Sequence, residues 1–313
     1  MFLSKLDSLK EASSKIEQHQ KIMSSEVVSL GEAHKRVLAE EIKSFHDSPP
    51  FDKSAMDGFA VRAEDTFGAS KSAPKTFKIV DSIGAGVASN KTIDPNEAIV
   101  IATGAPIPEG ANAVIMKEYT ETVGDEVILS SQVTPGENVS PKAEDIKKGS
   151  VILSPKTFIR YQELGLIASA GYSEVEVYKK PRVKIIITGN ELVDPTKEEL
   201  DPAQIINSNQ YSISAMVHDS GAVAEVGRAH DTCDEVKEAI LKATEEYDVV
   251  ITTGGTAISK GDVVLDVIDE IGDMLLHGVS IRPGKAFGCG VVNDTMVFAF
   301  SGQPVAAMGQ FDM

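Results

Sequence analysis

The sequence predicts a multidomain α/β protein: a doubly wound, mostly parallel sheet in the C-terminal part, and an α-rich N-terminal part carrying an inserted small β domain. Three observations predict it. After Pro181, short apolar runs alternate with amphipathic stretches, the pattern of repeated strand–helix units. Between Phe51 and about Thr134, brief β-type segments are separated by Gly, Pro and Asn turns. Helical periodicity lies on both sides of that β block, which makes the block an insertion. The chain has 313 residues, of which 42% are apolar and 25% charged, so it can bury more than one core.

Taken in order, Leu3, Leu6, Leu9, Ala12 and Ile16 recur at spacings of three and four and predict an amphipathic first helix. Ser29-Leu30-Gly31-Glu32 has the form of a capping box and predicts a second helix over "LGEAHKRVLAEEI", before the Pro49-Pro50 break. The segments "FKIVDSIGAG", "NEAIVIATGAPIP", "NAVIMKEYTET" and "DEVILSSQV" predict the strands of the β block. Gly84-x-Gly86 lacks a third glycine and a following helix, and reads as a turn. "SPKTFIRYQELGLIASAGY" restores a helix ending near Gly171. "RVKIIITG" then predicts a buried strand, "NSNQYSISAMVHDSG" a helix closed by Gly221, and "AVAEVGRAH" a second strand. Thr232 caps the helix "EVKEAILKATEEY", "DVVITTGG" is the third strand and "DVVLDVIDEIG" a helix. "GVSIRPG" and "TMVFAFSG" are expected as later strands.

With 47 acidic residues against 30 Lys and Arg, the formal net charge of −17 argues against nucleic-acid or anionic-membrane partners. An anionic ligand must be held locally. The two cysteines, Cys233 and Cys289, lie far apart outside any metal-binding spacing, which suits a reducing cytoplasm. The N-terminus mixes charge with apolar residues, and no run of 18 apolar residues occurs, so neither an export signal nor a membrane span is expected.

In doubly wound sheets, ligands bind beyond the carboxyl ends of the strands. Those positions here are Thr188-Gly189-Asn190-Glu191, His230-Asp231, Thr253-Gly254-Gly255-Thr256 with Asp262 following, Arg282-Pro283-Gly284-Lys285 and Ser301-Gly302-Gln303-Pro304. Gly254 and Gly255 let backbone N–H groups approach a phosphate, which Arg282 and Lys285 can neutralise. Glu191, Asp231 and Asp262 would repel that phosphate unless a hard cation, Mg²⁺, sits between them. Taken singly, Asp231 and Asp262 read equally well as helix caps, Glu191 as a solvated charge and Gly254-Gly255 as a turn; their convergence is what points to phosphate plus metal. His230 reads as structural.

The segments "SPPFDKSAMDGFAVRAED", "IATGAPIPEGANAVIMKE", "GENVSPKAEDIKKG", "IITGNEL", "NSNQYSI", "TTGGTAISKGD" and "RPGKAFGCGV", in this order, resemble the molybdopterin molybdenumtransferases of the MoeA and gephyrin E-domain family, from the first helix to about Gly302. The resemblance implies an L-shaped homodimer. An elongated, α-rich dimerisation domain (1–47 and 141–180) carries a β domain (48–140), and a molybdopterin-binding α/β domain follows (181–313). It implies molybdenum cofactor biosynthesis, in which molybdenum from molybdate enters adenylylated molybdopterin with Mg²⁺-dependent release of AMP. Molybdopterin adenylyltransferase and recipient molybdoenzymes are the implied protein partners. Asp57, Glu191 and Asp262 are the implied catalytic acids, and Glu191, Asp231 and Asp262 the Mg²⁺ ligands. Thr103, Asp145, Asp231, Thr253, Gly254, Gly255, Ser259, Arg282, Lys285 and Pro304 are implied in substrate binding. Asp57 would belong to a loop reaching the active cleft; alternatively it caps a turn ahead of Gly58.

Two features depart from the family. Ser301 and Gln303 stand where it has Pro and Asn, and the altered turn is expected to be looser. The chain stops at Met313, where the family's last α/β-domain helix begins, and its final small β domain is absent; an uncovered sheet face and lower stability follow as expectations. A catalytically weak binding or scaffold protein is the alternative these departures favour. The adenylyltransferase reading fails on the first 180 residues, since that protein resembles the α/β domain alone.

Overall fold

A computed structural model describes residues 6–254 and 263–313. The chain forms two compact units, one of Val27–Glu176 and one of Met1–Glu26 with Val177–Met313. Helix α1 (Leu9–Glu17) starts later than the leucine spacing predicts, because Ser8 closes its end: Ser8 Oγ accepts from Glu11 N–H, and the Glu11 carboxylate accepts from Ser8 N–H. Its buried Ala12 packs with the C-terminal sheet.

The second expected helix does not form. Only a 3-10 turn, Leu30–Glu32, follows Ser29, whose hydroxyl donates to the Glu32 carboxylate at 2.5 Å rather than capping a backbone N–H. Lys35 at φ +61° then breaks any helical path, and Val37 bridges to Phe158 in extended conformation. With residues 27–47 in turns and short extended pieces, α2 (Tyr161–Ser169) is the main helix of this unit among the described residues, which is therefore not α-rich.

The β block is a six-stranded sheet of β1 (Gly58–Val61), β2 (Lys75–Ile83), β3 (Glu97–Ile101), β4 (Ala113–Met116), β5 (Thr120–Val123) and β6 (Glu126–Leu129). Its spatial order is β4-β1-β3-β2-β6-β5, with only β2 and β3 parallel. Alternate residues serve two apolar clusters, Phe59, Val61 and Ile115 in one, Ala60, Ile99, Ile101 and Val114 in the other, so both faces are buried. Gly58 must be glycine, since a Cβ would lie 1.9 Å from the Ile115 carbonyl oxygen across the ladder. Gly84-x-Gly86 is a turn, as expected, with Gly86 at φ +82°.

The second sheet comprises β7 (Arg182–Thr188), β8 (Val223–Ala229), β9 (Val249–Thr253), β10 (Asp273–His277), β11 (Gly288–Val292) and β12 (Thr295–Phe300), ordered β8-β7-β9-β12-β11-β10. The first four are parallel and the last two antiparallel. Helices α3 (Asn209–Asp219), α4 (Cys233–Glu246), α5 (Val263–Ile271) and α6 (Pro304–Phe311) pack on both faces. Val183, Ile185, Ile187 and Ile251 face α1, α3 and α6, whereas Ile186, Val250, Val297 and Ala299 face α4 and α5. The doubly wound expectation holds. "GVSIRPG" is not a strand: Val279 makes a single bridge to Asp7, and the pairing runs through β10 and β11 instead. Asn293 and Asp294, both at positive φ, make the tight turn from β11 to β12. The end of the chain is helical over Pro304–Phe311, and Phe311 packs edge-on against Phe300. Beside it an apolar cavity of about 490 Å³ remains on the sheet face, lined by Ile16, Val183, Val217, Phe298 and Phe311 among others.

Candidate active site

Register alone brings four chain ends together. Thr188 pairs with Ala229, and Thr253 pairs with Phe300 on one side and Ile187 on the other, so β7, β8, β9 and β12 terminate on one line. From β7 the chain goes to β8 on one flank and then crosses to β9 on the other, which makes the β7/β9 junction the switch point where ligands bind. Two glycines make this junction tight. Gly254, at φ +99°, would set a Cβ 2.2 Å from the Thr188 carbonyl oxygen, and Gly302 lies with its missing Cβ 3.4 Å from Gly254 Cα. Bare backbone from two loops therefore lies side by side, but the Gly254 N–H, expected to face a phosphate, donates instead to the Phe300 carbonyl at 3.3 Å and continues the ladder.

Two buried amides that the sequence reading did not single out join these loops. Asn209, 6% exposed at the start of α3, donates from Nδ2 to the Gly302 carbonyl at 3.0 Å and to Thr253 Oγ1 at 3.5 Å. Gln310 of α6, 2% exposed, accepts from Ser301 N–H at 2.7 Å and donates to the Gly284 carbonyl at 2.8 Å. It thereby fixes the Arg282–Lys285 loop to the end of β12. The expected loosening at Ser301 is not found: its N–H, which a proline would lack, is bonded, its hydroxyl accepts from Gln303 N–H, and Gln303 caps α6 ahead of Pro304. His230 Nδ1 lies 2.9 Å from Asn190 Oδ1, tying the β8 end to the β7 end.

The predicted residues of this unit fall as follows. Thr253 and Gly254 form the junction itself, Arg282 and Lys285 are exposed, without an acidic partner among the described residues, and Pro304 is the first residue of α6. Glu191 is exposed and folds back over Gly189, its carboxylate oxygens 3.0 Å from the position of a Cβ there. Asp231 Oδ1 is buried and has no hydrogen-bond partner among the described residues. A bound cation would satisfy such an acceptor, which fits the Mg²⁺ expectation at this position. Gly255, Ser259 and Asp262 lie outside the described residues, within which no group of three acidic, His or Cys side chains gathers around one point.

In the other unit, Asp57 and Thr103 meet directly. Asp57 Oδ1 accepts from Thr103 N–H at 2.7 Å and from Thr103 Oγ1 at 2.8 Å. These two donors, the backbone one foremost, hold the Asp57 carboxyl below the usual carboxylate range. Asp57 thus caps a loop 46 residues away rather than its own turn. Asp57 borders a cavity of about 660 Å³ also lined by Ser82, Gly84, Lys117, Thr120 and Thr122. Asp145 is not joined to them: its N–H donates to Ser48 O, in a loop knitted to residues 47–52. Lys117, too, was missed; only its position after the "NAVIM" strand hinted at it. Asn209 lay in view in "NSNQYSI", and Gln310 as a polar residue within the apolar "AAMGQF".

Two family models match the chain, "MoeA N-terminal region (domain I and II)" over residues 7–171 and "Probable molybdopterin binding domain" over residues 184–313. The chain is 38% identical over 309 residues to a molybdopterin molybdenumtransferase of Bacillus subtilis, covering 97% of this chain and 72% of that one. It is 37% identical over 309 residues to that of Staphylococcus epidermidis, covering 98% and 73%. Among solved structures, a molybdopterin biosynthesis MoeA protein from Pyrococcus horikoshii OT3 matches with a TM-score of 0.86 at 35% identity, over 98% of this chain and 77% of that one.

Proposed function

The chain belongs to the MoeA family of molybdopterin molybdenumtransferases, which act in molybdenum cofactor biosynthesis, and from that premise we propose that it takes adenylylated molybdopterin and molybdate, hydrolyses the adenylate and yields molybdenum cofactor. The observation that carries this reading is the alignment of four strand ends around Gly254 and Gly302, with Arg282 and Lys285 fixed beside them through Gln310. Two cations beside close, side-chain-free backbone suit the phosphates of an adenylate or the oxygens of molybdate. Mg²⁺, held by Glu191 and Asp231 with Asp262, would neutralise charge on the diphosphate.

The chain's own groups do the rest. Arg282 and Lys285 hold the oxyanions, and Glu191 or Asp262 takes the proton of a water whose oxygen bonds to phosphorus as the diphosphate P–O bond breaks. AMP leaves and the phosphate stays on the pterin side chain; the two dithiolene sulfurs bond to molybdenum as one molybdate oxygen leaves as water with the two thiol protons. The proposal includes a homodimer. The alternative, a weakly catalytic carrier or scaffold, loses one support, because the Ser301 turn is held by Gln310 and Gln303 rather than loosened.

The test is AMP release from adenylylated molybdopterin, with Mg²⁺ and molybdate supplied or withheld, in the wild type and in Asp231→Asn and Glu191→Gln. Release that needs both ions and drops at least tenfold in the variants is expected. Tight substrate binding without AMP release in the wild type would leave the carrier reading in its place.

A further inference from the structure

Asn209 carries an unspent acceptor at the switch point. Its side chain is 6% exposed and its Oδ1 has no hydrogen-bond partner among the described residues. The amide orientation is not free to reverse. Gly302 O, 3.0 Å away, is an acceptor only and demands an N–H, which fixes Nδ2 on that side and leaves Oδ1 bare. A buried, unpaired amide oxygen is costly, and a donor arriving with a ligand between Thr253 and Gly302 would offset that cost.

The neighbouring groups narrow the choice. Arg282 and Lys285, beside the bare glycine backbone, present positive charge suited to oxyanions, whereas Asn209 Oδ1 is neutral and accepts only. Molybdate and the internal diphosphate of an adenylate are fully deprotonated at neutral pH and have no proton to offer it. A heterocycle with an exocyclic amino group does.

We propose that Asn209 is a specificity residue whose Oδ1 accepts a hydrogen bond from the exocyclic amino group of a heterocycle seated at the β7/β9 junction, while its Nδ2 holds the Thr253 and Gly302 loops in place. The inference rests on the adenylylated-pterin reading, and that substrate carries two such amino groups, one on the adenine and one on the pterin. The chemistry is the same for both.

The experiment measures equilibrium binding of two probe pairs by calorimetry: AMP against IMP, and 6-hydroxymethylpterin against 6-hydroxymethyllumazine. Each pair replaces an amino group by a carbonyl oxygen. Wild-type protein is expected to prefer the amino member of one pair by about tenfold, the scale of one buried hydrogen bond gained against two facing acceptors. The preferred pair identifies which ring sits at Asn209. Asn209→Ala, with native circular dichroism, is expected to bring that ratio to within twofold. Binding of both pairs by the wild type without preference overturns the inference and leaves the substrate reading standing, whatever the variant does. A preference that survives in folded Asn209→Ala overturns it as well. No binding of any probe removes both the inference and the substrate reading.

Discussion

Replacing Gly254 by alanine tests whether the strand ends really close on one another as described. The residue sits at φ +99°, where an L-residue costs about 1–2 kcal/mol. The new Cβ would also stand 2.9 Å from Thr188 Oγ1, which can rotate, and 2.2 Å from the carbonyl oxygen of Thr188, a backbone atom held where Thr188 pairs with Ala229. The carbonyl cannot rotate away, so backbone must part, at about 1–3 kcal/mol for overpacking. Together the loss is about 2–5 kcal/mol, or roughly 10 °C in the melting temperature of this unit. Gly302→Ala is the matched control, because its nearest neighbour is Gly254 Cα at an ordinary 3.4 Å and its φ is not positive. Differential scanning calorimetry of both variants decides: Gly254→Ala melting within about 2 °C of the wild type, or Gly302→Ala falling as far, would refute the close approach.

Other perturbations follow from the same contacts. Ser301→Pro restores the residue usual in the family yet is expected to lower stability by about 1 kcal/mol in urea unfolding, since it removes the N–H bonded to Gln310. Glu163, hydrogen-bonded to the Arg160 guanidinium, has its carboxyl lowered to about 2. Its contribution is therefore full above the ordinary value of 4.5 and lost as pH falls toward 2, so a Glu163→Gln variant should be less stable than wild type at pH 7 and converge with it in acid. Burial pushes the Cys289 thiol up to about 12 while Cys233 is exposed, so a thiol reagent should modify one cysteine in the folded protein and two after unfolding.

Much of this was legible from the sequence, for reasons that differ by region. The parallel strands were read from runs such as "RVKIIITG" because burial on both faces leaves no alternation to misread. The false helix after Ser29 shows the limit: a capping-box pattern names a start, but Lys35 in the left-handed region and the pairing of Val37 with Phe158 were set by contacts more than 100 residues away. Strands β10 and β11 were missed because Met274 and Leu275 are half-buried and β11 begins "GCG", where Gly288 and Gly290 leave room for Leu265 and Ile268 of α5. Asp57 and Thr103 could be named for the site, but that one caps the other was invisible at a separation of 46 residues. Asn209 and Gln310 escaped because an amide within an apolar helix advertises nothing until its partners are known.

The common finishing line of β7, β8, β9 and β12 has an evolutionary corollary. One residue inserted or deleted within any of these strands would carry its terminal loop about 3.3 Å out of line and turn every following side chain to the opposite face. Length change is thus barred from the strands and confined to their outer connections, such as residues 194–204 between β7 and α3. Divergent relatives should differ in length there while the spacing from Arg182 to Gly189 and from Val249 to Gly254 stays constant.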